Sequence, residues 1–136
     1  VERSRGLGDV YKRQDLTGSA ADKAGPQGVS RVVYFDFDSY VVKADAQPQI
    51  EAHARFLKAS SARKVQIEGH TDERGGREYN LALGQKRAEA VRRSLGLLGV
   101  SDAQMEAVSY GKEKPASEGH SEDAYAQNRR AELSYR

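Results

Sequence analysis

Residues 67–91, IEGHTDERGGREYNLALGQKRAEAV, read as the end of a strand, a polar loop broken by glycines, and an amphipathic helix. Just upstream, Lys64–Gly69 alternates polar and apolar residues, which turns Val65 and Ile67 to one inward face. Downstream, a helix is expected over about Tyr79–Leu98, because Leu81, Gly84, Ala88, Val91, Leu95 and Leu98 recur at steps of three and four. Gly84 weakens that helix by roughly 1 kcal/mol relative to alanine. Close approach of helix to sheet is the reason expected for it. Gly99 is placed to end the helix in a left-handed C′ conformation. Asn80, Leu83 and Arg87 fall beside the apolar stripe, which predicts a half-buried Arg87 at the edge of the core, facing the loop.

Working outward, Arg31–Phe37 (RVVYFDF) is β-branched and aromatic, as a strand requires, with Val33, Phe35 and Phe37 on one face. Ala44 and Asp45 offer the start of a first helix, with Pro48 in its opening turn and Ile50, Ala54, Leu57 and Phe56 along its stripe. Ser101–Gln104 reads as a turn, Met105–Tyr110 as a third strand, and residues 111–123 as a long polar loop. A short helical turn is expected within 123–130, and Ala131, Leu133 and Tyr135 share one face of a last strand. This order predicts an α+β fold, two main helices packed on one face of a four-stranded mixed sheet. The two strand–helix–strand crossovers imply right-handed connections between parallel neighbours, with the last strand free to lie either way. Residues 1–30 hold five glycines and no apolar period, so they are expected to be a disordered linker preceding a domain over 31–136. Within that segment, residues 1–14 read as foreign to the domain.

Charge is abundant but balanced: 22 basic and 20 acidic residues in the whole chain, 17 and 16 from Arg31 onward. That argues against a nucleic-acid surface, which needs a basic excess on one face. The absence of cysteine removes disulfides and thiolate metal sites. His70 and Asp72, with Glu73 following, are too few for a zinc site without a third ligand, His53 and His120 have no ligand-like spacing, and His70 is expected to hydrogen-bond locally and order its loop. The loop matches neither G-x-G-x-x-G nor a P-loop, so no nucleotide, cofactor or metal is expected. The clustered carboxylates (Asp36, Asp38, Glu68, Asp72, Glu73) leave a hydrolase as a weak alternative. Asp72 and Arg87 remain: either they pair with each other and tie the loop down, or they clamp a small zwitterion.

Five separated blocks then carry a family resemblance: FDFD (35–38), GHTDERG (69–75), YNLALGQKRAEAV (79–91), SYGKEKP (109–115) and NRRAEL (128–133). Over about residues 31–136 the chain resembles the OmpA-like peptidoglycan-binding domain, most of all in its peptidoglycan-associated lipoprotein (Pal) branch. The resemblance implies a β-α-β-α-β-(α)-β fold and non-catalytic binding of the peptidoglycan stem peptide through meso-diaminopimelate. Asp72 would engage the diaminopimelate and Arg87 its carboxylate. Phe37 and Asp38 would line the same pocket, joined by Thr71, Asn80, Leu83 and Ala88. Arg129 and Arg130 match positions read as mainly structural, with Arg129 the nearer to the site. The family further implies a lipid anchor in the outer membrane, a periplasmic location, and TolB as a partner in the Tol–Pal system of envelope integrity and cell division. The chain lacks the acylated cysteine of that branch, so the anchor is an expectation for a full-length protein. It also carries Gly76-Arg77 where Thr-Pro is familiar. The wall-anchoring domains of porins and flagellar stators share the same motifs and form the alternative.

Overall fold

A computed structural model describes residues 25–136. Its elements are strand β1 (Val32–Tyr34), helix α1 (Gln47–Lys58), strand β2 (Val65–His70), helix α2 (Arg77–Leu97), strand β3 (Met105–Gly111), helix α3 (Glu122–Asn128) and strand β4 (Arg130–Tyr135). The sheet order is β1-β4-β2-β3. β2 and β3 are parallel across the α2 crossover, as expected. β1 and β2 are not neighbours: β4 lies between them, antiparallel to both. The crossover rule concerns strands adjacent in space, and the last strand takes the place that the first crossover leaves open. Residues 1–24, with most of the expected linker, lie outside the described residues. Of the remainder, Gly25 is buried against the Tyr135 ring, and the Ser30 carbonyl accepts from the Gln49 side chain.

The core joins Val33 from β1 and Phe35 just after it, Ile50, Ala54 and Leu57 from α1, and Ala88, Val91 and Leu95 from α2. Val65, Ile67, Ala131 and Leu133 meet them from the sheet. Two expectations of burial fail. Phe37 follows the buried face by alternation, yet β1 ends at Tyr34 and Phe37 is 60% exposed. On α2 the buried line includes Asn80, Leu83 and Arg87, while Leu81 is only partly buried. The start of α1 differs as well. Ala44–Ala46 forms a 3-10 turn, Ala46 is the N-cap, and no side chain caps the helix; Pro48 does fall in the first turn.

α2 crosses β2 at very short range. A Cβ on Gly69 would lie 1.7 Å from the Gly84 carbonyl oxygen, and one on Gly84 would lie 2.3 Å from Ser109 Oγ. Paired glycines therefore let the helix backbone rest on the strand backbone, as Gly84 suggested. At its far end α2 stops at Gly99, whose φ of 102° suits glycine. This contact sets the height of Arg87, one turn further along α2, above the end of β2.

Candidate functional site

Three segments meet over the carboxyl end of β2: the turn after β1 (residues 36–39), the loop 71–76, and the first half of α2. They enclose a pocket of about 250 Å³ whose lining includes Phe37, Asp38, Thr71, Asp72, Asn80, Leu83 and Arg87. Seven of the eight residues named from the sequence thus converge. Ala88 does not line the pocket. It is fully buried in the core beneath α2, because it faces the sheet one residue round from Arg87.

Arg87 is 1% exposed rather than half-buried. Its guanidinium is held by main-chain carbonyls: Nε donates to Ser39 O (2.8 Å), Nη1 to His70 O (2.9 Å) and Nη2 to Asp36 O (3.1 Å). The turn after β1 is thereby moulded onto the arginine, with Asp38 at a φ of 55°, a left-handed conformation that aspartate tolerates better than most residues. Burial pushes the Arg87 pKa down to about 10, opposed by the charge of Asp72, so the group stays cationic at neutral pH. Five N–H groups are available and three are engaged in this way, which leaves two for a ligand.

Asp72 does not pair with Arg87. Its Oδ1 accepts from the Arg74 backbone N–H (2.9 Å), an Asx-type turn, and its Oδ2 accepts from Arg74 Nη2 (2.8 Å). Arg129 Nη1 stands 3.6 Å from the same Oδ2 and has no hydrogen-bond partner of its own. Burial alone would raise the Asp72 pKa. The side-chain and backbone hydrogen bonds from Arg74, with the charges of Arg74 and Arg129, outweigh it and hold the carboxyl below its ordinary value. An internal Asp72–Arg87 bridge is therefore not what ties the loop down. Instead Thr71 N donates to Gly111 O, Asn80 Nδ2 to Arg74 O, and Lys112 Nζ to Gly75 O, with Gly75 at a φ of 93°.

Sequence reasoning missed Arg74, Gly75 and Tyr79 in the lining. Arg74 lies between the rings of Phe37 (4.3 Å) and Tyr125 (4.5 Å), and the Tyr79 hydroxyl donates to Asp38. The two-residue spacing of Asp72 and Arg74 was a legible signal for a local ion pair; the aromatic partners, 37 and 51 positions away from Arg74, were not. Arg129 comes nearer to the pocket than a structural role required. Its Nε donates to Phe35 O and its Nη2 to Glu122. Arg130 serves the sheet, bonded to Glu132 and the Lys114 carbonyl.

His70 departs from expectation. Its side chain orders no loop: it is 2% exposed, stacks on Tyr110 at 5.5 Å between ring centres, and neither ring nitrogen has a hydrogen-bond partner. Burial, reinforced by the charge of Arg130, lowers its pKa to about 4, so the imidazole is neutral.

The sequence profile of the OmpA family matches residues 34–129, which spans every pocket-lining residue named above. A peptidoglycan-associated lipoprotein of Pseudomonas aeruginosa is 53% identical over 118 residues, covering 87% of this chain and 69% of that protein. Among solved structures, the peptidoglycan-associated lipoprotein from Burkholderia pseudomallei superposes with a TM-score of 0.78 at 64% identity, over 79% of this chain and 91% of that one. The C-terminal domain of Helicobacter pylori MotB shares the fold at a TM-score of 0.70 and 23% identity, over 76% of this chain and 81% of that one.

Proposed function

This chain belongs to the OmpA family, and on that premise we propose that it binds the stem peptide of peptidoglycan without catalysis and tethers the outer membrane to the cell wall. The observation that carries the reading is the pocket itself. It presents a buried cation with two uncommitted N–H donors and a carboxylate, Asp72, in the lining of one cavity. A diaminopimelate side chain ends in a carbon bearing both an ammonium and a carboxylate. Arg87 takes the carboxylate through its remaining N–H pair, and Asp72 takes the ammonium. Thr71, Asn80 and Leu83 fix the walls, and Phe37 and Asp38 form the rim. Asp72 is already paired, so the ligand ammonium competes with the Arg74 side chain for its oxygens. Arg74 has 39% of its side chain exposed and can swing outward.

The similarity to peptidoglycan-associated lipoproteins supports a wider setting for this reading. It comprises a lipid anchor upstream of the domain in the full-length protein, a place on the periplasmic face of the outer membrane, TolB as a protein partner, and service in the Tol–Pal system during division. Among the described residues no helix is long and apolar enough to cross a membrane.

The test is sedimentation with purified diaminopimelate-type peptidoglycan. Asp72→Asn and Arg87→Lys are each expected to lose at least about 2 kcal/mol of binding, beyond tenfold: the first leaves the ligand ammonium without its counter-charge, and the second keeps a cation but loses the planar pair of N–H donors that a carboxylate needs. Lys86→Ala, on the exposed side of the same helix, is expected to bind as the parent does. Retention of full binding by both pocket variants, with circular dichroism showing them folded, rejects the assignment.

A further inference from the structure

The face of the sheet turned away from α1 and α2 carries a second cluster that the pocket does not use. Glu68 on β2 and Glu132 on β4 are directly paired in register. Two like charges in that relation repel. His70, two residues along β2, points to the same face. One ligand atom from each of the three lies within 4.8 Å of the others.

His70 supplies the independent observation. It is almost wholly buried, yet both ring nitrogens lack a hydrogen-bond partner, and Nε2 stands 3.7 Å from Glu68 Oε1. Buried polar atoms of this kind are rare in folded proteins and call for a physical explanation. A separation of 3.7 Å is too long for a hydrogen bond. It is close to the roughly 3.4 Å between two ligand atoms each about 2.0–2.1 Å from a tetrahedral zinc ion. From this geometry we propose that Glu68, His70 and Glu132 form a binding site for a divalent cation of the zinc class.

The two carboxylates offset the cationic side chains of Arg130 and Lys114 that also act on this cluster. Coordination uses the lone pair of a neutral imidazole, and neither ring nitrogen of His70 is committed to a hydrogen bond. Arg130 donates to Glu132 Oε2 at 2.5 Å and is itself fixed by the Lys114 carbonyl, so it orients the carboxylate and leaves Oε1 for a cation. The side chains of Glu68 and Glu132 are 20% and 37% exposed, which gives the ion a path in and room for water as a fourth ligand. One nitrogen and two carboxylate donors favour zinc or manganese. Magnesium, which prefers six oxygens, is disfavoured.

The experiment is calorimetric titration of the whole chain with zinc chloride, with manganese and magnesium chlorides alongside. One saturable zinc site is expected, with no magnesium binding in the same range. Glu68→Gln, Glu132→Gln and His70→Gln should each weaken zinc at least tenfold. His120→Ala removes a second histidine–carboxylate pair, the exposed one of His120 with Glu73, and should change nothing. Zinc should also shift the ¹⁵N resonances of the His70 ring. If His70→Gln fails to fold, the two glutamine isosteres carry the test, since they keep side-chain shape on a half-exposed face. Absence of a saturable site, parental affinity in both glutamate variants, or loss of binding in His120→Ala overturns the proposal. Wall binding through Asp72 and Arg87 is read separately by sedimentation, so failure of either leaves the other standing.

Discussion

Arg87 gives up its hydration on burial and recovers it from three carbonyls on two separate segments. A lysine at this position has no planar fork and cannot reach all three. Arg87→Lys is therefore expected to lower the melting temperature as well as ligand binding, since each abandoned buried carbonyl costs about 1–3 kcal/mol. Asp72→Asn is the cleaner probe of the pocket. His53 shows a comparable dependence on a buried group. Its Nε2 lies 2.8 Å from the Ser30 carbonyl, which can only accept, so Nε2 bears the proton and Nδ1 accepts from the Tyr135 hydroxyl. Burial, with a smaller contribution from Arg31, holds the His53 pKa below 6.5 against the opposing bond to Ser30. The unfolded chain takes up this proton first as pH falls. The stabilisation is thus complete above about pH 6.5 and is lost as pH drops through the window below it. Calorimetry from pH 7.5 to 5 should show stability declining in the parent and a shallower decline in His53→Gln.

At the scale of elements, the crossing of α2 over β2 depends on two glycines that meet backbone to backbone. Gly69→Ala would drive a Cβ into the Gly84 carbonyl at 1.7 Å, where no flexible side chain can yield. A loss of about 3 kcal/mol or more is expected, at or beyond the upper end of ordinary overpacking. Gly96, in the same helix, has only the Met105 methyl at 4.0 Å. Gly96→Ala should stabilise by up to about 1 kcal/mol through helix propensity alone. Chemical denaturation of the two variants separates the packing requirement from propensity. Parental stability in Gly69→Ala would refute the close crossing that sets the height of Arg87 above the pocket.

At the scale of the molecule, the last strand is an interior strand. β4 is bonded to β1 and to β2, and its inward residues Ala131, Leu133 and Tyr135 sit in the core. Val33 pairs with Ala131, so the sheet closes only when both ends of the domain are present. Truncation before Arg130 should abolish cooperative folding, seen as collapse of amide dispersion in NMR spectra. Deletion of residues 1–14 should leave the melting temperature unchanged. The same topology places the pocket beyond the carboxyl end of β2 and the proposed cation site on the face of that strand turned away from α1 and α2. Asp72 follows the end of that strand, while Glu68 and His70 lie within it.

Among the described residues, local periodicity was enough to indicate the main helices and strands, because alternation and the three-to-four step follow from the backbone geometry of each element, but it did not fix their ends: β1 stops at Tyr34 and α1 is entered through a 3-10 turn. The glycine at 84 was legible for the same reason, whereas Asp72 and Arg87 stood out by charge, with their spacing open between an internal bridge and a ligand clamp and only the family resemblance favouring the clamp. Arrangements between elements were not legible. Nothing local to residues 130–135 tells them to insert between two strands that precede them by 60 residues or more. Nothing near Arg87 shows that its partners are the carbonyls of 36, 39 and 70 rather than the carboxylate of Asp72. Phe37 continued an alternating pattern but lay past the end of its strand, where the turn moulded onto Arg87 rotates it outward. His70 was legible as a loop histidine only while the register of β2 with β4 was unknown. Backbone pairing, which acts between distant residues, put it beside two glutamates and left its nitrogens without partners.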